Sequence, residues 1–170
     1  MGTGFLSEKE ISIGDLYLNG RYNFMNQLNS NIDLYLNSYV KVPFADKNSG
    51  LGTGKFDYSL AMGVRKNIES FMFFAELGYL FLGDSPEINY KDPLTYNLGV
   101  GTFFTSQNFG LLLSYSGYSK VIDGYDPPAQ ISLGIMLNSS HMMGYNIYVS
   151  KGLSELNPDY TISGGMHFNF

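Results

Sequence analysis

The chain has no cysteine and no tryptophan, and only 6 prolines and 2 histidines among its 170 residues. Without cysteine it can build neither a disulfide framework nor a thiolate metal site, which fits folding in an oxidising periplasm without proving that address. Charge is sparse as well, at 15% Asp, Glu, Lys and Arg, against roughly 25% in an ordinary soluble domain. A net charge of -5 and a pI near 4.8 argue against a nucleic-acid partner, which wants a basic patch. No apolar run approaches the about 18 residues of a membrane-spanning helix, so a helical membrane protein is excluded while a strand-built one is not. The opening stretch, MGTGFLSEKE, has neither the basic nor the apolar part of an export signal. Met1 therefore reads as an internal start or the edge of a processed form.

What the chain has instead is glycine and aromatic surface: 20 Gly, 14 Tyr and 13 Phe. That balance favours β structure, and at 170 residues residues 1–170 read as one domain with 1–13 as a loop. A mean hydropathy of -0.07 does not decide between water and lipid, because strands with one apolar and one polar face average to neutral. The last stretch, YTISGGMHFNF at 160–170, shows the pattern best. Tyr160, Ile162, Met166, Phe168 and Phe170 fall on one face of an extended strand; Thr161, Ser163, His167 and Asn169 fall on the other. A chain that stops on an aromatic residue suits an apolar face turned toward lipid.

Further strands read at 14–24, 32–44, 55–65, 71–82, 94–104, 109–118, 130–137 and 143–150, with 71–82 apolar on both faces apart from Glu76. In the first two segments Leu16, Leu18, Tyr22, Phe24, Ile32, Leu34, Leu36, Val40 and Val42 oppose a nearly all-polar set. Connections alternate long and short: 25–31, 66–70, 105–108 and 138–142 are short, while Gly- or Pro-rich stretches such as 45–54 and 83–93 are long. Outer-membrane barrels sort their connections this way, short on the periplasmic side and longer outside. If the aromatic terminus marks the periplasmic end, counting back puts all four short connections there, so two independent cues agree. The reading is an all-β, transmembrane, antiparallel up-and-down barrel with about nine strands visible. Single-chain bacterial barrels have even strand counts, and an open edge in hydrocarbon leaves backbone groups unpaired. At least one further strand upstream is expected, and three are favoured.

Several segments also resemble one family. GDLYLNGRYNF at 14–24, the strand ending Lys41-Val42-Pro43, and GLGTGKFDYSLAMGVRK at 50–66 resemble the outer-membrane family known as the MetA pathway of phenol degradation, or "transporter". FAELGYLFLGD at 74–84 and ISLGIML at 131–137 echo it again. The resemblance covers nearly the whole chain, with two departures: N-terminal strands are absent, and the usual Arg-Phe end is Asn169-Phe170. It implies a roughly twelve-stranded barrel that passes small, often aromatic or hydrophobic molecules, and an aromatic terminus read by the barrel-assembly machinery.

The inward-facing set holds the candidates for solute contact. Arg21, Asp33, Lys41, Asp57, Arg65 and Glu76 either pair across strands and stiffen the wall, or form a constriction that selects solutes. Tyr17, Tyr35 and Tyr39, with Tyr118 and Tyr148, could stack an aromatic solute or simply fill space. Other motifs carry less. Gly50-Leu51-Gly52-Thr53-Gly54-Lys55 suggests a phosphate loop, but Phe56 stands where Ser or Thr is needed and a strand follows instead of a helix. His141 and His167 have no metal-ligand spacing. A phospholipase would need His167 beside a Ser on a neighbouring strand, and no distinctive Ser motif offers one. The sequence thus points to a non-enzymatic channel with no cofactor and no metal, its partners being outer-membrane lipid, the assembly machinery and a small-molecule solute. A soluble lipocalin-like barrel and a non-conducting structural barrel are the alternatives.

Overall fold

A computed structural model describes residues 14–25, 32–45, 53–83, 90–104, 108–138 and 143–168. Nine strands make one sheet: β1 (Leu16–Met25), β2 (Asp33–Val42), β3 (Asp57–Ile68), β4 (Phe71–Phe81), β5 (Leu94–Phe104), β6 (Phe109–Tyr118), β7 (Ala129–Asn138), β8 (Met143–Gly152) and β9 (Tyr160–Phe168). Each pairs antiparallel with its sequence neighbour, in the order β1 to β9. Every connection is thus a hairpin, and the sheet curls into a half-barrel. Among the described residues no helix is long and apolar enough to cross a membrane, which says nothing about crossing by strands.

All nine expected segments are strands, and β5 and β6 keep the expected bounds. The clearest difference is the turn expected over 66–70. Pairing continues through Lys66↔Phe73, Asn67↔Met72 and Ile68↔Phe71, so β3 runs three residues further and only Glu69 and Ser70 remain to turn the chain. Glu69 takes a left-handed conformation, φ 53°, which a two-residue hairpin loop demands and which is uncommon outside glycine. Charge at Lys66 and Glu69 makes this stretch read as loop. The continuing cross-strand pairs overrule that signal.

Register puts the alternating side chains on consistent faces. Leu60, Leu77, Leu98, Leu113, Leu133 and Ile147 cover the convex face and are about half exposed, at 51, 61, 51, 49, 53 and 52%. On the concave face Asp33, Lys41, Asp57, Ser132 and Ser150 are buried. This is the reverse of a water-soluble domain, where the oily set would be the buried one.

Aromatic residues mark both ends of the convex face. Toward the long connections lie Phe56 with Tyr58, Tyr79 with Phe81, and Tyr96 with Tyr115, ring centroids 6.3, 4.9 and 5.6 Å apart. Toward the short ones lie Tyr22 with Phe24, Phe71 with Phe73, and Phe104 with Phe109, at 6.5, 6.5 and 5.3 Å. Aliphatic side chains fill the band between. β4 has 11 residues and runs from one belt, Phe71, to the other, Phe81. With about 3.4 Å rise per residue and a tilt of about 40°, its ends are separated by roughly 26 Å in height.

In the closing strand, Tyr160, Ile162 and Met166 face outward and are 68, 77 and 64% exposed. Phe168 pairs through its backbone with Met143. Phe170, His141 and the 1–13 loop lie outside the described residues.

Candidate functional site

The concave face encloses a trough of about 850 Å³ whose lining runs from Tyr17 and Arg21 on β1 across to Gln130 on β7. Because inward positions recur every second residue and the strands pair nearly in step, residues far apart in sequence meet side by side. Three tiers of charge result, one above another along β1 to β4.

The tier nearest the long connections is built on Lys41. Its ammonium lies 2.6 Å from Asp57 Oδ2 and 3.7 Å from Asp15 Oδ2, and donates to Thr53 Oγ1 at 2.9 Å. The side chains of Lys41, Asp15 and Asp57 are only 8, 2 and 12% exposed, so each charge depends on the others in place of water. The carboxylates also hold the chain beyond the strands: Asp15 Oδ1 accepts from the Ala45 amide and Asp57 Oδ1 from the Gly83 amide, both at 3.0 Å. The tier therefore anchors two long connections to the rim.

In the middle tier Arg21 Nε donates to Asn37 Oδ1 at 2.8 Å, and Asn37 Nδ2 donates to Glu76 Oε2. Asn37 thus relays between a guanidinium on β1 and a carboxylate on β4. The Arg21 guanidinium also sits 4.2 Å above the centre of the Tyr35 ring, a cation–π contact. Tyr35 lies flat against β3, where Gly63 makes room for it; a Cβ there would fall inside the ring. At the third tier Arg65 Nε and Nη2 converge on Asp33 Oδ2 at 2.7 and 2.6 Å.

All nine inward candidates lie on the concave face, where Tyr17, Arg21, Tyr39, Lys41, Asp57 and Glu76 line the trough and Asp33, Tyr35 and Arg65 do not, and the six charged ones are tied into three clusters. Tyr17 and Tyr39 stack with centroids 5.7 Å apart and planes at 24°, but Tyr35 is committed to the middle tier and is 4% exposed. Sequence reasoning missed Asp15, Asn37 and Thr53 as members. Asp15 and Asn37 share the period-2 polar face of their strands, so the signal was present; Thr53 belongs to a connection, and only the fold brings it to Lys41.

The opposite wall, β5 to β9, has no inward charge among its described residues. Ser132 and Ser150 share a hydroxyl hydrogen bond of 2.7 Å, and Gln130 Nε2 donates to Ser116 Oγ at 3.5 Å. Tyr148 packs over Gly134 as Tyr35 does over Gly63. Where the walls meet, Asn97 Oδ1 is buried with no hydrogen-bond partner among the described residues. Among those residues no three or more His, Cys, Asp or Glu converge to hold a metal ion.

An antiparallel up-and-down sheet with oily outer and polar inner faces defines a β-barrel wall. The chain belongs to the family described as "Putative MetA-pathway of phenol degradation", whose model matches residues 1–170. No curated protein matches it. A solved structure from work described as "Unveiling the Mechanism Behind the in-meso Crystallization of Membrane Proteins" is similar over 95% of this chain and 78% of its own, with 11% identity and a TM-score of 0.48.

Proposed function

We propose that the chain is the wall of an outer-membrane β-barrel of about twelve strands, acting as a passive channel for small molecules, with no chemistry and no cofactor. The observation that carries this reading is the inversion of the two faces. Leu60 and Leu133 are about half exposed while Asp57 and Ser132 are each 8% exposed, and the outer face with both aromatic belts included stands roughly 26 Å tall, enough to cover a lipid-facing band of about 25 Å. Family membership supports small aromatic or hydrophobic molecules as solutes. Tyr17, Tyr39 and Tyr118, which line the trough beside Lys41, would offer such a solute ring faces. Among the described residues three inward cations, Arg21, Lys41 and Arg65, stand against four carboxylates, Asp15, Asp33, Asp57 and Glu76, which together give a weak, slightly negative field.

A non-conducting structural barrel is the second reading, favoured because each inward charge among the described residues is tied to a neighbouring side chain. Single-channel recording from full-length protein refolded into planar bilayers separates the two. Currents with weak preference for cations are expected. Insertion without current would leave the structural barrel, and a protein that stays soluble without detergent would leave the lipocalin-like alternative.

A further inference from the structure

Among the described residues the convex face carries a shallow, open groove. Register sets Val64, Ala75, Leu98 and Tyr115 in one outward row and Lys66, Phe73, Val100 and Leu113 in the next. Ala75 is the smallest of these, and together with Val100 it floors a groove of about 560 Å³ walled by Phe73, Leu98, Leu113 and Tyr115. Lys66 stands at its rim.

The position of that lysine is unusual. Among the described strand residues the outward-facing cations are Lys66 and Lys151, and neither forms an ion pair with another described residue. Lys66 pairs across with Phe73 and lies two residues before the end of β3 at Ile68, level with the aromatic belt of the short-connection end. A lysine there extends its ammonium toward the boundary between oil and water. Lys151 sits between Ile131 and Tyr160 and borders no such groove.

The geometry points to a phospholipid site, with one acyl chain in the Ala75 groove and the lipid phosphate on Lys66 Nζ. An apolar cleft with one unpaired cation at one end complements a molecule with an oily tail and a single anionic head. The site rests on the membrane reading above, and it adds a place on the barrel where one lipid is held more tightly than its neighbours.

The full-length protein, refolded in detergent micelles and titrated with dioleoyl phosphatidylglycerol, tests it, with bound lipid counted by native mass spectrometry. Ala75→Leu should fill the groove and remove the tightest-bound lipid. Lys66→Gln should weaken it about fivefold, the effect of one basic residue at a lipid surface, and Lys151→Gln should leave it unchanged. Flotation of the same proteins with phosphatidylglycerol vesicles runs in parallel. Proteins that all float while Ala75→Leu and Lys66→Gln hold lipid like the parent overturn the site and leave the barrel standing; so does equal weakening by Lys66→Gln and Lys151→Gln. A full-length parent, with its upstream strands, that does not float overturns the membrane reading itself.

Discussion

The two walls of the trough have the same strand geometry and opposite chemistry. β1 to β4 face inward with three clusters of paired charge, whereas β5 to β9 face inward with hydroxyls, amides, glycine and a few apolar side chains. The backbone separates them little: both are hairpin meanders, and apart from a register shift between Asn23 and Met25 on β1 the pairs run in step. The difference teaches what an inward charge requires. The rim cluster draws Asp15, Lys41 and Asp57 from three successive segments and the middle one runs from Arg21 on β1 through Asn37 on β2 to Glu76 on β4, so neither could form in one hairpin, whereas Asp33 and Arg65 are direct cross-strand neighbours. The neutral wall needs only adjacent partners, as in the bond between Ser132 and Ser150.

If that contrast is right, breaking the rim tier should cost most. Lys41→Met leaves Asp15 and Asp57 buried together without a cation, and a loss of about 3–5 kcal/mol is expected for a broken buried pair. Ser132→Ala, its counterpart on the neutral wall, removes one neutral hydrogen bond and should cost about 1 kcal/mol. Equilibrium denaturant unfolding in micelles measures both. Equal losses would mean the rim charges are hydrated and the two walls do not differ.

A steric version of the comparison follows. Gly63→Val and Gly134→Val each drive a β-branched side chain into the aromatic ring that covers the glycine, Tyr35 or Tyr148. Overpacking of this kind costs typically about 1–3 kcal/mol. The Gly63 change should also move Tyr35 from beneath Arg21 and so destabilise more than the Gly134 change. The reverse order in thermal unfolding would show that Tyr35 is filler and not a support for the middle tier.

The middle tier also gives a functional contrast. Glu76→Gln removes one negative charge from the lumen while retaining a group that can accept from Asn37, so cation preference in a salt gradient should fall toward zero. Ser116→Ala on the facing wall should leave the reversal potential unchanged. A shift of the same size from both would remove charge as the basis of selectivity.

Most of the sheet was legible because period-2 alternation is local: Leu16, Leu18 and Tyr22 announce an outward face without reference to any other strand. Which inward residues touch was not legible, since it depends on register. Lys41 meets Asp57 because β2 and β3 pair at those positions, and a shift of one residue would have set Lys41 beside a side chain of the convex face. The extension of β3 to Ile68 was hidden for a related reason, as the signal lay in partners on β4 and not in Lys66, Asn67 and Glu69 themselves. The groove at Ala75 was equally silent, since a small residue in an apolar row becomes a cleft only when larger neighbours from other strands surround it.

The two walls are joined by the connection from β4 to β5, and the smallest effect is expected there. Lys91 donates its amide to Val121 O at 2.8 Å and its ammonium to Asp123 Oδ1 at 2.7 Å, with the Lys120 ammonium at 3.2 Å from the same oxygen. Hydrogen bonds from Lys91 first, and then from Lys120, hold the Asp123 carboxyl below its ordinary value of 3.8. A carboxyl with a depressed folded-state value contributes its stabilisation above the ordinary value and loses it as pH falls through the lowered one. Protection of the Lys91 amide from hydrogen exchange, corrected for intrinsic rate, should therefore hold from pH 7 down to about pH 4 and fall only below the ordinary aspartate range. All three side chains are largely exposed, at 48, 50 and 66%, so high salt should weaken the clasp at neutral pH too. The buried rim tier at Lys41 should be nearly indifferent to the same salt. A rim that loosens with salt as readily as this exposed clasp would show that burial is not what distinguishes the charged wall.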